Sequence, residues 1–332
     1  MIIIPVLIVV AGIFMGWNIG ANDAANCVGA DIGSRRITIK EGIIITCAFS
    51  FLGAALFGSR VIETVGKGVV PLDKLEPQAA MLIALAACFG AGLWVLLATY
   101  RKLPVSTSHS IVGAVAGAGL AIFTPIYWQK IGEIFLSWIL TPFGSGFLAF
   151  LCYPVIRRIF FRLVPRKSEF IVTRWLLILS SIYLAFIWGA NDVANVTGVM
   201  VGSGIFSVFW AALIGGAAIV FGVTTWGYKV IETVGFRITN MLPLMGFVAE
   251  VASAVNVQIY TNLGIPVSTS HSMVGAVIGV GFARGVRAVN KRVVRDMVVA
   301  WTLTPFMSGF ISFIIMKGIQ FRHTSYVALW AP

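Results

Sequence analysis

The chain alternates long apolar runs with short polar breaks. Ten runs stand out, at 2–22, 38–58, 79–99, 105–123, 131–156, 172–190, 205–224, 241–261, 266–283 and 297–317. Each is close to the ~20 residues that a helix needs to cross a bilayer core. The first is not the pattern of a cleaved leader, because Met1 runs straight into Ile2, Ile3 and Ile4 with no basic stretch before it. The pattern predicts an all-α polytopic membrane protein.

Composition strengthens that reading. Of 332 residues, 59% are hydrophobic and 11% charged, with mean hydropathy +0.96. A soluble domain has about 25% charged residues, so too few are present to cover a water-exposed surface. A disulfide scaffold and a disordered chain are excluded. The 35 glycines have no collagen-like period and point to close helix contacts and broken helices. Cys27, Cys47, Cys88 and Cys152 form no CxxC pair and read as small buried apolar residues.

The net charge of +12 suggests no nucleic-acid partner once it is mapped onto the breaks. Arg35, Arg36 and Lys40 follow the first run, and Arg101 and Lys102 the third. Arg157, Arg158, Arg162, Arg166, Lys167 and Arg174 follow the fifth, Lys229 and Arg237 the seventh, and Arg284, Arg287, Lys291, Arg292 and Arg295 the ninth. The other breaks are near neutral. By the positive-inside rule the odd-numbered breaks are cytoplasmic and both termini extracytoplasmic, in the plasma or inner membrane of the cell.

The sequence also repeats itself. GANDAANCVG at 20–29 recurs as GANDVANVTG at 189–198, and VIETVG at 61–66 recurs at 230–235, both offset by 169 residues. PVSTSHSIVGAVAGAGLA at 104–121 recurs at 266–283 with 14 of 18 positions identical, and WILTPFGSG at 138–146 recurs as WTLTPFMSG at 301–309. The repeats divide the chain into a first copy at 1–156, a basic cytoplasmic linker at 157–170 and a second copy at 171–332. Two copies of five spans each must sit in opposite orientations, which predicts an inverted-topology repeat with broken or re-entrant helices, as in many secondary transporters.

The repeated motifs carry polar chemistry in an apolar setting. Asp23 and Asp192 end long apolar runs, where an isolated carboxylate is costly unless it meets a cation, a proton or water. Asn22, Asn26, Asn191 and Asn195 add neutral oxygens suited to Na⁺; a helix cap is the simpler alternative. In the second motif, Pro followed by Ser and Thr marks a helix start with free backbone N–H groups. Ser106, Thr107, Ser108, Ser268, Thr269 and Ser270 add hydroxyl donors, an anion cradle of the kind that suits phosphate; hydroxyl glue between membrane helices is the alternative. His109 and His271 either relay protons, orient the cradle or make structural hydrogen bonds. Glu63 and Glu232 fall in polar breaks, as supporting or interface residues. Glu250 lies inside an apolar run with no basic residue near it, and its counterpart in the first copy is Cys88; it is a candidate ion or proton site, with Gln258 and Asn262 on the same polar face. A channel and an intramembrane hydrolase using Ser108 and His109 are the rival classes. Duplication argues against a single catalytic centre, and no cofactor is called for.

The paired GANDxAN and PVSTSHS motifs resemble those of the inorganic phosphate transporter family of sodium- or proton-coupled phosphate permeases, across nearly the whole chain. That resemblance implies symport of inorganic phosphate with Na⁺, or alternatively H⁺, by alternating access. It also implies about twelve spans counting broken pieces, and a homodimer. Phosphate would be held by Asn22, Ser106, Thr107, Ser108, Asn191, Ser268, Thr269 and Ser270. Na⁺, as coupling ion, would be held by Asp23, Asn26, Asp192, Asn195 and Glu250. Eukaryotic members carry a long insert between the halves, which is absent here, so the prokaryotic type is implied. Many members have Glu in the second span where this chain has Ser50.

Overall fold

The computed structural model describes residues 3–101, 105–227, 241–285 and 291–329. Every regular element among them is helical: α1 (Ile3–Gly33), α2 (Ile39–Phe57), α3 (Ser59–Lys67), α4 (Pro77–Tyr100), α5 (Thr107–Ala121), α6 (Trp128–Leu163), α7 (Glu169–Asp192), α8 (Ala194–Gly202), α9 (Val208–Trp226), α10 (Pro243–Asn262), α11 (Thr269–Arg284) and α12 (Lys291–Leu329), with two short 3₁₀ turns. Local signals set the ends. Thr38 caps α2 in a reciprocal capping box with Glu41, and Pro77 opens α4.

Seven helical stretches among the described residues are long and apolar enough to cross a membrane. Three of the ten predicted runs fall short. α5 and α11 have 15 and 16 residues, about 22–24 Å at 1.5 Å per residue, less than the ~30 Å hydrocarbon core. Their runs were lengthened by the extended Val105–Ser106 and Pro266–Val267–Ser268 segments ahead of each helix. α10 is long enough at 20 residues but is diluted by Glu250, Ser253, Asn256 and Gln258. The predicted linker at 157–170 is mostly helix, because α6 continues to Leu163 and α7 begins at Glu169. The outer faces of α6 and α12 carry Phe143, Phe147, Phe306 and Phe310, each more than 60% exposed. An apolar stripe of that extent belongs against lipid. Cys27 and Cys88 are buried as expected, Cys47 is half-buried, and Cys152 is exposed on α6.

The two copies do not pack as separate bodies. α1 packs on α9 and α2 on α7; α5 packs on α12 and α11 on α6. Each contact joins one copy to the other, and each recurs with the copies exchanged. A Cβ at Gly20 would strike the carbonyl oxygen of Ile219, and one at Gly189 would strike that of Ser50. Likewise Gly113 lies against the Pro305 carbonyl and Gly275 against the Pro142 carbonyl. Glycine is required at these positions because backbone meets backbone. The exchange brings the two copies' polar motifs together in the buried interior.

Candidate functional site

The site is assembled where α1, α7, α5 and α11 meet. In α1, Asp23 accepts from the Thr107 hydroxyl at 2.8 Å on one oxygen and from Ser270 at 2.9 Å on the other. In α7, Asp192 accepts from Thr269 at 2.8 Å and from Ser108 at 3.3 Å. Each carboxylate therefore takes one hydroxyl from its own copy and one from the other. Asn26 donates to Asp23 at 3.2 Å and to Ser270 at 2.8 Å; Asn195 donates to Asp192 and to Ser108, both at 3.0 Å. Asn26 Oδ1 and Asn195 Oδ1 have no donor among the described residues. All these side chains are 2% exposed or less.

Asn22 and Asn191 shape the backbone. Asn22 Oδ1 accepts the Val105 amide at 3.0 Å, and its Nδ2 donates to Thr99 at 2.8 Å. Asn191 Oδ1 accepts the Val267 amide at 3.3 Å, and its Nδ2 donates to Thr261 at 2.9 Å. They hold the extended segments that lead into the two short helices. Ser106 and Ser268 serve as N-caps, accepting from the His109 and His271 amides at 3.1 and 3.2 Å. The remaining amides of the first turn, of Thr107 and Ser108 and of Thr269 and Ser270, have no acceptor within their helices and lie at the positive ends of the helix dipoles. Sequence reasoning placed all six hydroxyls as direct anion donors. Here Ser106 and Ser268 cap, while Thr107, Ser108, Thr269 and Ser270 donate to carboxylates.

The histidines turn to a different environment. Pro142 and Pro305 lack an amide hydrogen, which leaves the carbonyls of Trp138 and Trp301, four residues earlier, without a helical donor. His271 Nδ1 lies 3.4 Å from the Trp138 carbonyl and His109 Nδ1 3.3 Å from that of Trp301, so the carbonyls assign the proton to Nδ1 in both rings. Each ring also packs on the other tryptophan, His109 stacked on Trp138 with centroids 3.7 Å apart and His271 tilted against Trp301 at 3.9 Å. The WxLTP repeat thus docks each short helix on a long helix of both copies. Both imidazoles line an apolar cavity of about 630 Å³ walled by Phe135, Phe143, Phe147 and Phe150. The histidines are positioned as structural hydrogen-bonding residues rather than as members of the carboxylate cluster.

Other candidates lie apart from it. Glu63 is exposed in a shallow recess with Arg60 and Lys67. Glu232 falls outside the described residues. Gln258 accepts from the Tyr183 hydroxyl, and Asn262 is exposed at the end of α10 with its carbonyl accepting from Arg60 at 2.8 Å. Glu250 is fully buried against α7, where Ser180 donates to it at 2.6 Å. Sequence reasoning missed Thr99 and Thr261, 162 residues apart in the same repeat register. It also missed Asp31, the second buried acid on α1.

Asp23, Asp192, Asp31 and Glu250 are not in ion pairs among the described residues; the cations that pair there are at the periphery, as in Arg174–Glu41 at 2.5 Å. The central site is therefore a cluster of hard oxygens with unshared lone pairs, next to two helix N-termini. The first feature suits a small hard cation and the second an anion.

The model of the phosphate transporter family matches residues 19–312. A protein of Pyrococcus abyssi named "Putative phosphate permease" is 34% identical, with 94% of this chain and 96% of that protein aligned. "Inorganic phosphate transporter 2-1, chloroplastic" of Arabidopsis thaliana is 28% identical over 88% of this chain and 68% of its own length. A solved structure described as "The sodium-dependent phosphate transporter" superposes with a TM-score of 0.87 at 31% identity, covering 96% of this chain and 99% of the other. With its apolar helices and its buried, twice-built polar centre, the chain is an integral membrane protein that belongs to the phosphate transporter family.

Proposed function

We propose that the protein imports inorganic phosphate by symport with Na⁺. The observation that carries this reading is the crosswise pairing of Asp23 with Ser270 and Asp192 with Ser108 at the starts of the two short helices. Phosphate carries one or two negative charges at pH 7 and could not approach two buried carboxylates unaccompanied. Asp23 with Asn26 Oδ1, and Asp192 with Asn195 Oδ1, each offer a hard-oxygen set for one Na⁺. Na⁺ on a carboxylate takes over the lone pairs now held by hydroxyls, freeing Thr107, Ser108, Thr269 and Ser270 to turn towards an anion at the free helix amides. Cation and anion binding are coupled through the same four hydroxyl groups, so phosphate affinity rises with Na⁺. Neutral donors allow release, which a fixed arginine clamp would oppose.

Alternating access follows if the two copies are inverted halves that exchange conformations; the exchanged contacts between them support this. The distribution of basic residues supports extracytoplasmic termini in the plasma or inner membrane. A homodimer is part of the same family-based proposal.

The test is uptake of labelled phosphate into proteoliposomes under separately imposed Na⁺ and H⁺ gradients. An inward Na⁺ gradient at fixed pH should drive accumulation above equilibrium. Uptake that ignores Na⁺ and follows pH would replace Na⁺ by H⁺; uptake that only equilibrates would make the protein a channel.

A further inference from the structure

Two buried threonines stand behind the asparagines of the centre. Thr99 lies in the last turn of α4 and Thr261 in the last turn of α10, and both are 2% exposed or less. Each hydroxyl donates to the carbonyl four residues earlier in its own helix, Thr99 to Val95 at 2.8 Å and Thr261 to Val257 at 2.9 Å. A hydroxyl has one proton, so each oxygen has only lone pairs left to offer. Asn22 Nδ2 donates to the first at 2.8 Å and Asn191 Nδ2 to the second at 2.9 Å.

An asparagine amide has nearly the same shape either way round, and its neighbours decide which end is which. A threonine oxygen that can only accept requires the NH₂ end to face it. Oδ1 is thereby turned to the Val105 amide in one copy and to the Val267 amide in the other. The reversed side chain would set N–H against N–H at the valine and oxygen against a committed hydroxyl at the threonine. In the second copy Nδ2 also reaches the Ile265 carbonyl, at 3.5 Å. The residue held in this way stands directly before the N-cap of a short helix, Ser106 or Ser268. Its position sets that of the first-turn amides of Thr107 and Ser108, or of Thr269 and Ser270, which have no acceptor within their helices.

The repeat singles out the threonines from their surroundings. Thr99 and Thr261 each lie five residues before the proline of the PVSTSHS motif, and the four residues between differ at every position, Tyr-Arg-Lys-Leu against Asn-Leu-Gly-Ile. Valine has the shape of threonine, and with it the Val95 and Val257 carbonyls would keep the helical bonds from the amides four residues on. Packing and helix formation therefore do not call for the hydroxyls.

We infer that Thr99 and Thr261 are positioning residues of the phosphate site: through Asn22 and Asn191 they set the direction in which the two short helices present their free amides. The inference rests on the phosphate reading above. Both hydroxyl protons are committed to helix carbonyls, so the threonines act on the anion side of the centre and not on the carboxylates.

Phosphate uptake kinetics in proteoliposomes, equilibrium binding of ²²Na⁺ without phosphate and the apparent Tm in detergent together test this. Thr99→Val and Thr261→Val should each raise the KM for inorganic phosphate about tenfold, as expected for misaligned donors, with kcat little changed. Binding of ²²Na⁺ and the Tm should stay at the wild-type values. Thr99→Ser and Thr261→Ser, which keep the hydroxyl, should keep the wild-type KM. An unchanged KM in the valine variants overturns the inference, and so does a raised KM that serine does not restore. Loss of ²²Na⁺ binding or a collapse of Tm in the valine variants makes the threonines structural and overturns it too. Wild-type protein that takes up no phosphate overturns the phosphate reading itself, a separate outcome.

Discussion

The centre and the acid pair of Asp31 with Glu250 are both buried carboxylate sites on α1, yet they were built under opposite rules. At the centre every residue has a counterpart in the other copy at the same register, so Asp23 and Asp192 meet matching donors, the threonines at 2.8 Å in both. At Asp31 and Glu250 the register leads to Met200 and Cys88, and the polar set stands alone. The difference separates two demands on the fold. The residues of the centre are matched in both copies, whereas Asp31 and Glu250 are matched in neither case.

Three manipulations put pressure on that contrast. The largest effect is expected for Asp23→Asn and Asp192→Asn. Each removes the charge and turns one of the two accepting oxygens into an amide donor, so that a charge-assisted hydrogen bond worth about 1.5–3 kcal/mol is lost and those that remain lose their charge assistance. Phosphate uptake in proteoliposomes should fall by about 100-fold or more, and equally in the two variants. Near-normal uptake in either would remove the centre from the transport path. Next come the glycine contacts. Gly20→Ala and Gly189→Ala place a methyl group against a backbone carbonyl, an overpacking cost of about 1–3 kcal/mol. Both should lower the apparent Tm in detergent, whereas Gly132→Ala, with nothing within 4 Å of the new methyl, should leave it unchanged or slightly raised. If Gly20→Ala behaves like Gly132→Ala, backbone-to-backbone packing does not join the copies. The smallest effect is expected for Ser108→Ala and Ser270→Ala. Each deletes one crosswise hydroxyl, about 1 kcal/mol and hence about fivefold in phosphate KM. A large inequality between the two would show that the halves are not equivalent at the centre.

Much of this arrangement was legible in the sequence because repetition marks it. A motif seen twice in an apolar chain declares Asn22, Asp23 and Asn26, and the Pro-Val-Ser-Thr-Ser-His-Ser run, as chemistry rather than packing. Repetition cannot say which atom faces which. Ser106 and Thr107 are neighbours of the same chemical kind, yet one caps a helix and the other meets a carboxylate, because the N-cap position turns its side chain back along the first turn. Asp31 escaped notice for a related reason. It stands between an apolar run and the basic pair Arg35–Arg36, where charge patterning alone assigns it to a loop, and its partners Ser181 and Glu250 are brought to it only by the folded helices. The role of the WxLTP repeat was hidden until the proline-freed carbonyls of Trp138 and Trp301 were seen to accept from histidines far along the chain.

The crosswise hydroxyls also bear on how such a chain came to exist. A polypeptide ending at the first copy would hold Asp23 with Thr107 but without Ser270, and Ser108 without Asp192. Half of each carboxylate's shell would be missing, and the Gly20 surface would face lipid instead of the Ile219 backbone. A single-copy ancestor could have closed its site only by pairing with another chain of its own kind. Carrying both copies in one chain fixes their ratio at one to one and lets residues in one copy differ from their counterparts in the other, as Asp31 does from Met200.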